Sequence, residues 1–352
     1  MSSAFQHNKK WNFRLKILLP CMIMVLFILD VSLGSVSIPL EQIMSAIFLG
    51  ETEKASWLHI IREFRLPKAL TALLAGAGLA ISGLQMQTLF RNPMAGPYVL
   101  GISSGASLGV ALVVLASYSL GGLFVELSMG SWVVVLASST GSFLVLLAVI
   151  ALSTRIRDSI SLLIIGLMFG SVAGAVVSVL KFFSEAKQLQ IYLIWTFGSL
   201  SGLNWDELYI LSILLVVGLL LSVYLIKPLN TLLLSENYAQ SMGVNIRRIR
   251  ILIVISTSLL AGGVTAFCGP IAFIGLAVPH LTRLLFNTSD HKVLIPAVSM
   301  SGVIIMLLCD IVSQLPGSQY ILPINAITSL IGAPVVIWLI LSKGGIQTSF
   351  GR

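Results

Sequence analysis

LLIIGLMFGSVAGAVVSVLKFF, Leu162 to Phe183, is a stretch of 22 residues with one charge, Lys181. At 1.5 Å per residue it makes a helix of about 33 Å, against a bilayer core of about 30 Å. Working outward, the same reading marks further spans near 17–34, 69–90, 99–117, 132–152, 209–226, 249–267, 271–287, 294–312 and 324–342. The span at 271–287 is interrupted by Pro279, His280 and Arg283. Hydrophobic residues make up 57% of the 352 and charged residues 10%, with a mean hydropathy of +1.01. A soluble domain carries about 25% charged residues, and no globule hides that much apolar surface. The sequence predicts an all-α integral membrane protein of about ten transmembrane helices.

The net charge of +8 is not a nucleic-acid footprint, because the basic residues sit in short clusters between apolar runs, where they orient helices in a bilayer. With ten spans and the N-terminus inside, 15 of the 21 Lys and Arg fall on the inner side. The other six, Lys54, Arg62, Arg65, Lys68, Lys181 and Lys187, fall outside. Of the 13 acids only Asp158, Glu236 and Asp290 lie inside. Both termini are then cytoplasmic. The basic residues ahead of Ile17–Leu29 have a signal-peptide layout, but with so many later spans, an uncleaved first helix is the simpler expectation. Two outer segments, 35–68 and 184–208, exceed simple turns; their aromatics (Tyr192, Trp195, Trp205) suit short helices on the outer surface.

Glycine recurs every four residues at Gly101, Gly105 and Gly109, and again at Gly166, Gly170 and Gly174. Such ladders let helices approach closely, and a ladder face can also border a passage. LLAGAGLAISG (Leu73–Gly83) and LLAGGVTAFCG (Leu259–Gly269) match at six of eleven positions. They run in opposite directions across the bilayer, the pattern of an inverted repeat.

The sequence holds no phosphate-binding loop and no soluble stretch long enough for a nucleotide-binding domain, so the chain is not expected to hydrolyse ATP. No protease or lipase motif occurs either, and no catalytic residue is assigned. Cys21, Cys268 and Cys309 are scattered in apolar stretches, without metal or redox spacing. Spans two to seven are almost free of ionisable groups at their centres, whereas Asp30 and Asp310 fall near outer ends. That disfavours an ion-coupled secondary transporter, which buries such groups as relays. A loop over 229–250 offers another source of energy. Ser235 can cap a short helix, Glu236 suits its first turn and Gly243 can end it. Arg247, Arg248 and Arg250 pin the start of the next span to the inner side. A capped, rigid cytoplasmic helix is a handle for a partner.

Three stretches stand out: Arg65-Leu66-Pro67-Lys68 with Leu74–Gly83 and Gln87; Arg91-Asn92-Pro93-Met94-Ala95 with Pro97 and Leu100–Ala106; and Glu236…Ala239…Met242-Gly243. A fourth is Gly269–Leu276 with Pro279-His280, Arg283, Asp290-His291-Lys292, Pro296, Asp310 and Gly332-Ala333-Pro334. Together they resemble the permease subunits of iron–siderophore, haem and cobalamin importers, the FecCD family of ABC transporters. The resemblance implies one permease domain over 1–352, with tails at 1–16 and 343–352, that forms a homodimer around a passage. It implies two cytoplasmic ATPase subunits, which hold ATP and Mg while this chain binds no cofactor. It also implies a periplasmic or lipid-anchored binding protein and a place in the inner membrane. Ser235, Glu236, Ala239, Met242 and Gly243 then form the coupling helix, and Arg65 and Lys68 are exposed cations that meet acids of the binding protein. Gln314 stands where a third such cation is usual, and Ile321 and Asn325 stand where the family has a carboxylate and a glycine. Arg91, Asn92, Pro93, Pro279, His280, Arg283, Asp290 and His291 are expected to gate or brace the inner mouth, with no metal among them.

Overall fold

The computed structural model describes residues 2–115, 131–153, 159–314 and 321–341. Expectations for Arg155, Arg157, Asp158, residues 116–117 and the tail 343–352 fall outside these. Fourteen helices occur among the described residues: α1 (Ser2–Ser32), α2 (Leu40–Phe48), α3 (Ala55–Leu89), α4 (Ile102–Val114), α5 (Ser131–Ser153), α6 (Ser159–Phe182), α7 (Ala186–Phe197), α8 (Trp205–Tyr224), α9 (Ile226–Leu234), α10 (Glu236–Ser241), α11 (Ile246–Cys268), α12 (Ile274–Phe286), α13 (His291–Ser313) and α14 (Ile324–Leu341). Six of them (α3, α5, α6, α8, α11, α13) are long and apolar enough to cross a membrane. Four shorter apolar helices, 17–32, 102–114, 274–286 and 324–338, fill the other expected positions. The tail expected over 1–16 continues the first helix from Ser2.

α3 is the axle of the bundle. Nearly every residue from Ala69 to Leu89 is buried, because α8, α11, α12 and α13 surround it, and small residues let them come close. A Cβ built on Gly76 would lie 2.5 Å from the Gly302 carbonyl oxygen of α13, and one on Gly83 only 1.6 Å from that of Gly275 in α12. Pro279 has no N–H to bond its i−4 carbonyl, and that carbonyl is Gly275's, the one against which Gly83 rests.

The spans expected at 99–117 and 271–287 are corrected to shorter helices, 102–114 and 274–286. α4 and α12 have 13 residues each, about 20 Å at 1.5 Å per residue, and each is preceded by a segment that is not α-helical. Pro93 and Pro97 lack donors, and Gly101 turns left-handed at φ 77° to start α4. Gly269-Pro270 ends α11, and Phe273, at φ 66°, starts α12. The two segments meet inside the bundle. Pro97 packs on Gly275, and the Tyr98 hydroxyl accepts from Thr265 Oγ1 at 3.3 Å and from the Ile271 N–H at 3.4 Å. Beyond them, Gly166 of α6 abuts Val99, and Gly332 of α14 abuts Phe273. The two matched stretches, Leu73–Gly83 and Leu259–Gly269, lie in α3 and α11, the helices that precede the two broken segments.

The outer segments hold α2 and α7 as short helices, but 55–65 is not a separate surface helix. It forms the first turns of the 35-residue α3, joined through a wide turn at Ile60–Arg65. α8 starts at Trp205, earlier than hydropathy indicates. Asn204 and Glu207 cap it reciprocally, each side chain accepting the other's backbone N–H at 2.9 and 3.1 Å.

Candidate functional site: a capped surface helix and the bundle ends

α10 is short, about 9 Å at 1.5 Å per residue, and would not persist alone. Both of its ends are closed. Ser235 Oγ accepts the Tyr238 N–H at 2.8 Å. At the other end the Gly243 N–H reaches the Gln240 carbonyl at 2.9 Å and the Val244 N–H reaches that of Ala239 at 3.0 Å. This double bond pattern needs a left-handed residue, supplied by Gly243 at φ 81°. Ala239 is fully buried, and Glu236 bonds Arg250 of α11 at 3.2 Å. Tyr238 and Met242 are 49% and 59% exposed, so one face is anchored and the other is presented outward.

The connection expected as a loop over 229–250 also contains α9, which carries α10 into the bundle and which no local sequence signal marks. Arg91, just past α3 and at φ 46°, donates twice to the Leu232 carbonyl, at 2.8 and 3.2 Å. Asn230 donates to Asp290 Oδ1 at 2.7 Å and accepts from the His291 N–H at 2.9 Å. The Asn230 oxygen also meets His291 Nδ1 at 2.7 Å. An amide oxygen only accepts, so the ring proton sits on Nδ1, leaving Nε2 to accept from Thr88 of α3, 2.8 Å away. Asp290 caps α13, accepting the Lys292 N–H at 2.9 Å. Burial pulls its pKa upward, but the Lys292 and Asn230 donors, with His291 and Lys292 beside it, outweigh that and hold it below the ordinary 3.8. Arg283 donates to Gln87 Oε1 at 3.0 Å, and Gln87 donates to the Leu276 carbonyl at 2.9 Å. Asn92 Oδ1 accepts the Met94 N–H at 2.9 Å to fix the turn before Pro93. Pro279 and His280 are buried in α12, apart from this network.

At the opposite end Arg65 and Lys68 are not the exposed pair expected. Arg65 is 7% exposed and donates to the carbonyls of Val31 (3.0 Å), Ser32 (2.9 Å) and Val36. The end of α1 leaves carbonyls without helical donors, and a cation there is favoured. Lys68, its side chain 11% exposed, pairs with Asp310 at 3.0 Å, because a buried carboxylate needs a counterion. Gln314 donates to Asp30 Oδ1 at 2.8 Å and to Asp310 Oδ2 at 3.4 Å. The two aspartates, far apart in sequence, are neighbours, and a neutral amide serves both. Asn325 Oδ1 accepts the Ala272 N–H at 3.1 Å, tying α14 to the broken segment of α11–α12, while Ile321 is 67% exposed.

The first glycine ladder is packing. Cβ atoms on Gly105 and Gly109 would lie 2.6 and 2.1 Å from the carbonyl oxygens of Gly141 and Ala137 in α5, and one on Gly101 would lie 3.0 Å from that of Gly166. The second divides: Gly166 and Gly170 face residues 99–104, while Gly174 meets nothing within 4 Å.

Comparison with known proteins bears on what this architecture is. The hemin transport system permease protein HmuU of Yersinia pestis is 34% identical over 325 residues, covering 92% of this chain and 93% of that one. The vitamin B12 import system permease protein BtuC of Klebsiella pneumoniae is 35% identical over 340 residues, covering 97% and 96%. A metal-chelate type ABC transporter solved in an inward-facing conformation superposes with a TM-score of 0.79 at 28% identity, covering 94% of this chain and 99% of its own. PsaBC from Streptococcus pneumoniae, at TM-score 0.51 and 16% identity, shares the fold alone. The description "FecCD transport family" matches residues 22–342, and the chain belongs to that family.

Proposed function

We propose that this chain is the permease subunit of an ABC importer that moves a metal chelate of the siderophore, haem or cobalamin type into the cytoplasm. ATP hydrolysis in a partner subunit drives it. What carries the proposal is α10, a helix too short to stand alone, closed at both ends and anchored on one face while Tyr238 and Met242 face outward. The α10 end is then cytoplasmic, as are both termini, and the chain sits in the inner membrane. A push on α10 passes through Ser235 to α9, and from Asn230 and Leu232 to the ends of α3 and α13.

Two copies of the chain assemble around the passage, with two cytoplasmic ATPases below and a periplasmic or lipid-anchored binding protein above. Arg65 and Lys68, with Gln314 and Ile321, line a cavity of about 330 Å³ at the outer end. An acidic group of the binding protein must enter that cavity to reach them. Ion coupling without an ATPase is not favoured, since Asp30 and Asp310 are held by Gln314 and Lys68.

The test is reconstitution with the ATPase and binding protein. Glu236→Lys and Gly243→Trp should keep membrane insertion and ATP turnover while losing chelate uptake. A Cβ at 243 meets nothing within 4 Å, so the tryptophan acts on helix geometry and the presented face rather than on the core. Wild-type uptake by both variants would overturn the coupling role.

A further inference from the structure

A second cavity, of about 380 Å³, lies among the first turns of α4, the end of α6, and α7. Ser103, Ser104, Ser107, Ser178, Tyr192 and Lys181 supply its polar lining. It borders Gly174, where the ladder face of α6 is bare, and Pro270, where the second broken segment begins. Lys181 is its one charged lining residue, and among the described residues no carboxylate lies within ion-pair distance of it. Its ammonium sits 4.7 Å from the centre of the Tyr192 ring. That ring is 1% exposed and is fixed by a short hydrogen bond between its hydroxyl and Ser107 Oγ. The cation therefore sits on a rigid aromatic platform at the cavity wall.

The contrast with the other basic residues of this end is chemical. Lys68 is consumed by Asp310, and Arg65 by three carbonyls. Glu185, the acid nearest to Lys181 in sequence, is exposed at the start of α7 and is not part of the lining. Ser178 and Ser107 are engaged with the Gly174 carbonyl and the Tyr192 hydroxyl, while the start of α4, which has no side-chain cap, adds to the positive potential. A lone ammonium among serines takes an oxyanion better than a neutral group.

We propose that this cavity is a cargo subsite of the passage that takes a carboxylate of the chelate on Lys181, so that the chain favours carboxylate-bearing chelates. The proposal rests on the permease reading above and adds the class of substrate.

The complete importer in proteoliposomes is offered haem and ferric citrate, which carry free carboxylates, and ferrichrome and cyanocobalamin, which do not. The expected result is uptake of a carboxylate-bearing chelate. Lys181→Met lowers it about tenfold at subsaturating cargo, the weight of one charge-assisted hydrogen bond, and Lys181→Arg restores most of it. Stimulation of ATP hydrolysis by the binding protein stays at the wild-type level in both variants, which a folding or docking defect would not allow. Uptake confined to the two carboxylate-free chelates, or wild-type uptake of an anionic chelate by Lys181→Met, overturns the subsite alone. No uptake of any of the four together with no stimulation of ATP hydrolysis by the binding protein overturns the permease reading with it.

Discussion

Replacing Gly83 by alanine adds one methyl group at the most crowded point of the bundle. The new Cβ would lie 1.6 Å from the Gly275 carbonyl oxygen, and real Cβ atoms essentially never come within 3.0 Å. α3 and α12 would have to part by the difference, at least 1.4 Å, with no rotamer to absorb it because the atom in the way is backbone. Parting them also loosens Pro97 and the Leu79 carbonyl, which pack on Gly275. Inserted methyl groups in packed cores cost about 1–3 kcal/mol, and backbone on both sides puts this one at about 3 kcal/mol or above. Gly174→Ala is the control, since nothing lies within 4 Å of that Cβ and alanine favours a helix by about 0.5–1 kcal/mol. Thermal unfolding in detergent, monitored by size-exclusion fluorescence, should show a drop of several degrees for Gly83→Ala. Gly174→Ala should show no loss. Equal melting of Gly83→Ala and wild type would refute the packing argument.

The charged groups at the two ends give two further outcomes. Lys68→Met leaves Asp310, 3% exposed, without its counterion beside the fully buried Asp30, so it should destabilise by about 3–5 kcal/mol. The double variant Lys68→Met/Asp310→Asn should recover most of that in the same melting assay, and a single variant as stable as the double would contradict the buried pair. Asp290 has a depressed pKa, so its stabilisation of α13 is present above 3.8 and is lost as pH falls through that value and below. Amide protection at Lys292–Leu294 should fall over that window in wild type and show no such step in Asp290→Asn.

The membrane class, the ten apolar stretches and the capped helix at 236–241 were legible because each is written locally, as hydropathy, a capping hydroxyl or a terminal glycine. The short length of α4 and α12 was also local, in Pro93, Pro97, Gly101 and Gly269-Pro270, but apolar runs read as spans mask the break. What sequence could not show is pairing at a distance. The Asp30–Gln314 bond joins residues 284 apart, and Gln87–Arg283 joins residues 196 apart. A substitution judged alone, such as Gln314 in place of a cation, looks like a loss until its two carboxylate partners are in view. Arg65 and Lys68 failed as exposed cations for the same reason: the groups that bury them, the end of α1 and Asp310, lie elsewhere in the chain.

The distribution of close contacts also says where the chain can move. α3 is 83% buried over its apolar window and α6 only 22%, and backbone touches backbone from α3 to α12 and to α13. Those three helices cannot slide on one another without breaking contacts that have no spare space. On the coupling role proposed above, a force entering at α9 would turn them as one body. Between this body and the outer helices lie the segments 90–101, which holds one 3-10 turn at Pro97–Leu100, and 269–273. Both segments abut outer helices closely, at Gly166 on α6 and Gly332 on α14, so a small rotation of the α3 body would be passed to those helices. α6 carries Gly174, Ser178 and Lys181 along the cavity wall. On the function and subsite proposed above, the residues that meet cargo then lie on a less buried outer helix and those that meet the ATPase lie next to the close-packed body.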